Sequence, residues 1–152
     1  MRLPFFKKKE FFSVEEKSSI VEAIRMSEKE TSGEIRVFVE SENPFVNPLD
    51  RAKEIFFRLK MDKTEHRNGV LIYIAIKSKE LALFGDEGIF ANTPDGFWNG
   101  AVTDMVAEIS DKHIVEGIIH CVEKVGQALK TAFPYEKTTD KNELPDDIIF
   151  GH

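Results

Sequence analysis

Gly69-Val70-Leu71-Ile72-Tyr73-Ile74-Ala75-Ile76 is apolar at nearly every position, so a strand built from it has no face to turn to water. It must be covered on both sides. The next three residues, Lys77-Ser78-Lys79, leave room only for a hairpin, and Leu81-Ala82-Leu83-Phe84 is expected to return antiparallel as a third strand. Upstream, Glu34-Ile35-Arg36-Val37-Phe38-Val39-Glu40 alternates and is rich in β-branched residues, as a first strand should be. A helix separates it from the apolar run, which requires a parallel crossover and hence a mixed sheet.

Helix boundaries are marked by capping chemistry. Ser13 followed by Glu16 forms a capping-box pattern, and Val14, Ile20, Val21 and Ile24 then give one apolar stripe, with Glu15, Glu22, Glu28 and Lys29 facing out. This helix should stop before Thr31-Ser32-Gly33. Asn47-Pro48 reads as the cap and first residue of a second helix, with Leu49, Ala52, Phe56 and Leu59 on one face and an end near Met61. Thr93-Pro94 repeats that pattern for a third helix, which carries Trp98, Ala101, Val102, Met105, Val106 and Ile109. A fourth, from about Asp111 to Ala132, carries Val115, Ile118, Ile119, Val122, Val125 and Leu129, and its Gly117 and Gly126 suit close packing on a neighbour. Phe133-Pro134 ends it. The organisation expected is an N-terminal arm (1–12), one body (13–134) and a tail (135–152) whose apolar end docks back.

At 152 residues the chain is one domain by length, able to bury roughly two thirds of its unfolded surface. A formal charge of −6 argues against a broad nucleic-acid surface and suits cations. The single Cys121, among Ile118, Ile119, Val122 and Val125, excludes an internal disulfide framework and reads as a buried small hydrophobe. No apolar run approaches the roughly 20 residues of a membrane span, and the first residues lack a signal-peptide pattern, so the expected location is cytoplasmic. Membrane contact is confined to residues 1–12, where Phe5, Phe6, Phe11 and Phe12 flank Lys7-Lys8-Lys9; core capping by the phenylalanines is the preferred explanation. His66, His113, His120 and His152 have no zinc-like spacing, and there is no nucleophile elbow, Walker loop or dinucleotide fingerprint.

Chain order brings three corners to one sheet edge: Thr31-Ser32-Gly33-Glu34 and Arg67-Asn68-Gly69 at two strand starts, and Gly85-Asp86-Glu87-Gly88 at a strand end. Each has a glycine beside polar groups. Asp86 and Glu87, with Glu34 across the sheet and Asp104 one helix away, are candidate metal ligands, and an all-oxygen set favours Ca²⁺ or Mg²⁺. Arg67 and Asn68 are candidate contacts for an anionic substrate.

Thr31-Ser32-Gly33-Glu34-Ile35-Arg36-Val37, Arg67 to Tyr73, Gly85 to Ile89, Phe97-Trp98 and Asn142-Glu143-Leu144-Pro145-Asp146 together resemble the TPM-domain family, named for a thylakoid-lumen acid phosphatase and a membrane-associated accessory protein. The resemblance implies a three-layer α/β/α sandwich around a small mixed sheet of about four strands, with the fourth strand sought near Ile89-Phe90. It also implies divalent ions at loops crossing one end of the sheet, with Asp86 and Glu87 in one such loop and Asp111 in the turn between the last two helices. Relatives often carry a signal peptide and a trailing transmembrane helix, and this sequence is expected to be a stand-alone domain. Two functions follow as expectations. One is a module that binds Ca²⁺ or Mg²⁺ and regulates an unidentified protein partner; the other is a metal-dependent acid phosphatase, for which the sequence supplies no obvious nucleophile and Arg67 would clamp phosphate.

Overall fold

A computed structural model describes residues 11–44, 47–93, 98, 100, 103–104, 107, 114–135 and 148–151. The elements are α1 (Val14–Glu28), β1 (Glu34–Glu40), α2 (Pro48–Arg58), β2 (Gly69–Ala75), β3 (Glu80–Gly85), α3 (Glu87–Asn92), α4 (Ile114–Ala132) and β4 (Ile148–Phe150). The fold is α/β, with a four-stranded mixed sheet in the order β3-β2-β1-β4. β1 lies parallel to β2 from Glu34 opposite Gly69 to Glu40 opposite Ala75, and β3 returns antiparallel. These are the pairings required by a helical crossover followed by a hairpin.

The apolar run is buried along all seven residues of β2 because its alternate side chains enter two different cores. Val70, Ile72 and Ile74 pack with Ile20 and Ile24 of α1 and Ile118, Val122 and Val125 of α4. Leu71, Tyr73 and Ala75 pack with Ala52, Ile55 and Phe56 of α2. Phe12 and Cys121 are buried in the first of these cores, and Phe11 stacks on Phe150 of β4 at 6.1 Å between ring centroids. The phenylalanines at positions 11 and 12 therefore cap the body, as expected of them. Residues 1–10 lie outside the described residues.

Several expectations are corrected. The fourth strand is β4, parallel to β1 from Val37 opposite Ile148 to Val39 opposite Phe150. The segment around Ile89 is helical instead, because the Asp86 side chain accepts the Glu87 N–H and caps α3. Val14 (74% exposed) and Leu49 (48%) leave their apolar stripes; each sits in the first turn of its helix. Glu28 is half-buried and accepts the Ile35 N–H at 2.7 Å, which ties the end of α1 to the start of β1. Both predicted caps are present: Ser13 and Glu16 form the reciprocal capping box, and the Asn47 side chain accepts from Leu49 N. Of the expected third-helix start at Thr93-Pro94 only Thr93 is described, where it caps the end of α3, and the Asn142 to Asp146 motif, Asp111 and Phe97 lie outside the described residues. Among the described residues no helix is long and apolar enough to cross a membrane.

Candidate functional site

The three corners meet as chain order requires. Glu34 N donates to the Asn68 carbonyl at 3.3 Å, Asp86 N to the Gly69 carbonyl at 3.0 Å, and Gly88 N to the Arg67 carbonyl at 2.9 Å. Asn68 Nδ2 reaches Ser32 Oγ at 3.3 Å. Two devices hold the backbones this close. Gly88 lies where a Cβ would stand 2.4 Å from the His66 carbonyl oxygen and 2.7 Å from that of Arg67, so only glycine fits without a shift. Arg67 adopts the left-handed region with φ of 50°, an uncommon conformation for a residue with a side chain.

That conformation accompanies a forked ion pair across the edge. Arg67 Nε and Nη2 donate to Asp86 Oδ2 and Oδ1 at 2.8 and 2.9 Å, while Nη1 reaches Glu87 Oε1 at 3.1 Å. Asp86 is buried, and its Oδ1 also accepts the Glu87 N–H at 2.8 Å. The hydrogen bond to Asp86 raises the Arg67 pKa, as does the charge of Asp86 and Glu87 around it, against a smaller opposing effect of burial. One guanidinium thus bonds both carboxylates and offsets one of their two charges, a fork geometry that a lysine could not reproduce. The phosphate clamp expected of Arg67 is spent on these two side chains.

Asn68 is fully buried and its Oδ1 has no hydrogen-bond partner among the described residues. A buried amide oxygen left this way is costly unless something else meets it. The other proposed ligands have surroundings of their own. Glu34 is buried on the β1 face that also presents Phe38 and Glu40, and Asp104, on an exposed helical turn, pairs with Lys124 of α4. Among the described residues no group of three or more His, Cys, Asp and Glu side chains converges as a metal site. The donor types at the edge, two carboxylates and an amide oxygen, fit a hard divalent cation, but both carboxylates are already held by Arg67.

A second polar cluster, which the sequence reading missed, lies at the far end of β1. Arg51 Nε and Nη2 donate to Glu40 Oε2 and Oε1, both at 2.8 Å, and Nη1 donates to Glu54 at 2.5 Å. The Tyr73 hydroxyl donates to Glu40 Oε2 from β2. The only signal for it was a glutamate ending a strand and an arginine in the first turn of the next helix, eleven residues on. Burial, then the bond to Glu40, pushes the Tyr73 phenol well above its usual value near 10. A raised folded-state pKa means this stability is whole below about pH 10 and is lost as pH rises toward the folded value. Denaturant melts should therefore show an alkaline loss beginning near pH 10 that is smaller in Tyr73→Phe; identical alkaline limbs would refute it.

With this geometry in place, the comparisons with known proteins become decisive. The sequence model of the TPM domain matches residues 6–128. The chain belongs to the TPM-domain family. Among solved structures, this TPM domain resembles the BA42 protein of the psychrophilic bacterium Bizionia argentinensis, with 41% identity, a TM-score of 0.86, and 95% of this chain and 99% of that one covered. The N-terminal domain of the cg2496 protein of Corynebacterium glutamicum shares the fold at 13% identity and a TM-score of 0.63, over 99% of this chain and 92% of that one. The N-terminal domain of a P. gingivalis protein does so at 15% identity and a TM-score of 0.66, over 82% and 83%. No curated protein sequence matches the chain.

Proposed function

We propose that this TPM domain is a non-catalytic, cation-responsive module in which Ca²⁺ or Mg²⁺ competes with Arg67 for Asp86 and Glu87. One observation carries the proposal: a buried carboxylate and its neighbour share a single part-exposed guanidinium, which leaves one negative charge unbalanced, at the edge where the buried Asn68 oxygen lacks a partner among the described residues. Asp86 and Glu87 would hold the cation, with Asn68 as a neutral oxygen donor. A bound cation supplies the positive charge that Arg67 otherwise provides. Arg67, 38% exposed, would then turn to water, and the His66–Gly69 and Gly85–Ile89 backbones that it ties together would rearrange. Such a change alters a partner surface only as far as the cation's affinity differs between the two arrangements.

The test is a Ca²⁺ titration of ¹⁵N-labelled protein and of Arg67→Gln, followed by backbone amide shifts and repeated with Mg²⁺. Shifts should concentrate at residues 66–69 and 85–89, and Arg67→Gln should bind about tenfold more tightly because the internal competitor is gone. Silence at those residues in both proteins up to roughly 10 mM, an affinity too weak for regulation, would overturn the proposal.

A further inference from the structure

α1 and α4 run side by side in the same direction, since Ser27 lies against Gly126 and Glu30 pairs with Lys130 further along both helices. Their backbones approach closely there: a Cβ on Gly126 would stand 2.7 Å from Ser27 Cβ and Oγ. Beside this seam a groove of about 630 Å³ opens, with Ala23, Met26, Ile119 and Gly126 among its apolar lining. It extends along α1 from Ser19 to Ser27, roughly 12 Å or more than two helical turns, and on to Glu30 in the turn that follows. Met26 is 54% exposed, and its thioether is a flexible filler suited to apolar anchors of varied shape.

The charged residues that line the groove are all acidic, with Lys29 Nζ set outside the lining at 3.9 Å from the Met26 sulfur. Glu22, Glu30 and Glu123 line it, and none of its lining residues is basic. Arg25 and Lys130 reach Glu22 and Glu30 from outside the lining in exposed pairs, a kind that contributes little and exchanges readily for an incoming base. Glu123 has no ion-pair partner among the described residues. A mixed groove about three turns long, in which Ala23, Met26 and Ile119 alternate with glutamates and neutral polar side chains, matches a helix that carries apolar residues on one face and Lys or Arg beside them. The same glutamates repel a nucleic-acid backbone.

We propose that this groove is a docking site for a cationic amphipathic helix of a partner protein. The site stands on α1 and α4 and depends on neither Arg67 nor a bound cation. It is tested by titrating ¹⁵N-labelled protein with a synthetic Lys/Leu helix of about four turns, a length matched to the groove. A Lys/Ser peptide of equal charge serves as the control. Saturable amide shifts are expected at residues 19–30 and 119–127, weakening as salt rises, and absent with Lys/Ser. Replacing Glu22→Lys and Glu123→Lys together should weaken binding about tenfold while leaving the thermal melt unchanged. Shifts spread over the whole surface, equal binding of Lys/Ser, no saturation by roughly 1 mM, or indifference to the charge reversal would each overturn the site. If the same residues instead shift with protein concentration alone, the occupant is a second copy of this chain and the proposed partner is wrong.

Discussion

Arg51→Ala should destabilise the protein by about 3–5 kcal/mol, a large fraction of the stability of a domain of this size. Glu40 is 2% exposed, and two of its hydrogen bonds come from the Arg51 fork. Removing the arginine strands a carboxylate inside the fold with, among the described residues, the Tyr73 hydroxyl left to meet it. The lost attraction is the lesser part; the desolvated charge left behind is the greater. Arg51→Lys should fall between wild type and alanine, because an ammonium keeps the charge but cannot fork across both oxygens. Replacing Glu40 and Arg51 together by leucine should cost much less than Arg51→Ala alone, since no buried charge then remains. Urea denaturation at pH 7 measures all three. A loss under about 1 kcal/mol for Arg51→Ala would mean that water reaches Glu40, and that the pair behaves as a surface bridge.

Gly88→Ala should lower stability by about 1–3 kcal/mol, the range for overpacked sites, although a helical glycine replaced by alanine usually gains close to 1 kcal/mol. The sign is decided by the neighbour. Gly88 is the second residue of α3, and the new Cβ would meet two backbone carbonyl oxygens, those of His66 and Arg67, which have no rotamer to change. Either α3 or the Arg67 corner must move, and the Gly88 N–H to Arg67 carbonyl bond is the contact at risk. Amide shifts at residues 66–69 should accompany the stability loss, and the fork from Arg67 to Asp86 should loosen with them. A stabilised Gly88→Ala variant with unshifted amides at those residues would show that the corner is slack.

Much of this architecture was legible because its signals are local. The first strand runs from Glu34 to Glu40 as its alternation suggested, and the Asn47-Pro48 start of α2 follows from cap chemistry confined to three residues. The unbroken apolar run became the inner strand β2, since nothing in it could face water. The misses are nonlocal. Three residues near the C-terminus supply the fourth strand, and their identity alone does not say that β1 has a free edge for them. The fourth strand that the resemblance implied was sought near Ile89-Phe90, yet the Asp86 cap makes that stretch part of a helix. Val14 and Leu49 keep the helical spacing of core residues but stand exposed in the first turns of their helices.

At the candidate site the division is sharper. Residue order alone determined that Ser32, Asn68 and Asp86 share one sheet edge, because a parallel crossover followed by a hairpin leaves no other arrangement of strand ends. Residue type alone determined that any ligand set there is oxygen. Only the tertiary structure decided which cation the carboxylates hold within the chain itself. Arg67 and Asp86 are 19 positions apart, and their pairing depends on a left-handed backbone at 67 and on a glycine at 88 that lets the two corners touch. Ion pairing falls off steeply with distance and orientation, so a difference of a few ångströms in how two loops pack separates a guanidinium-locked edge from an open one.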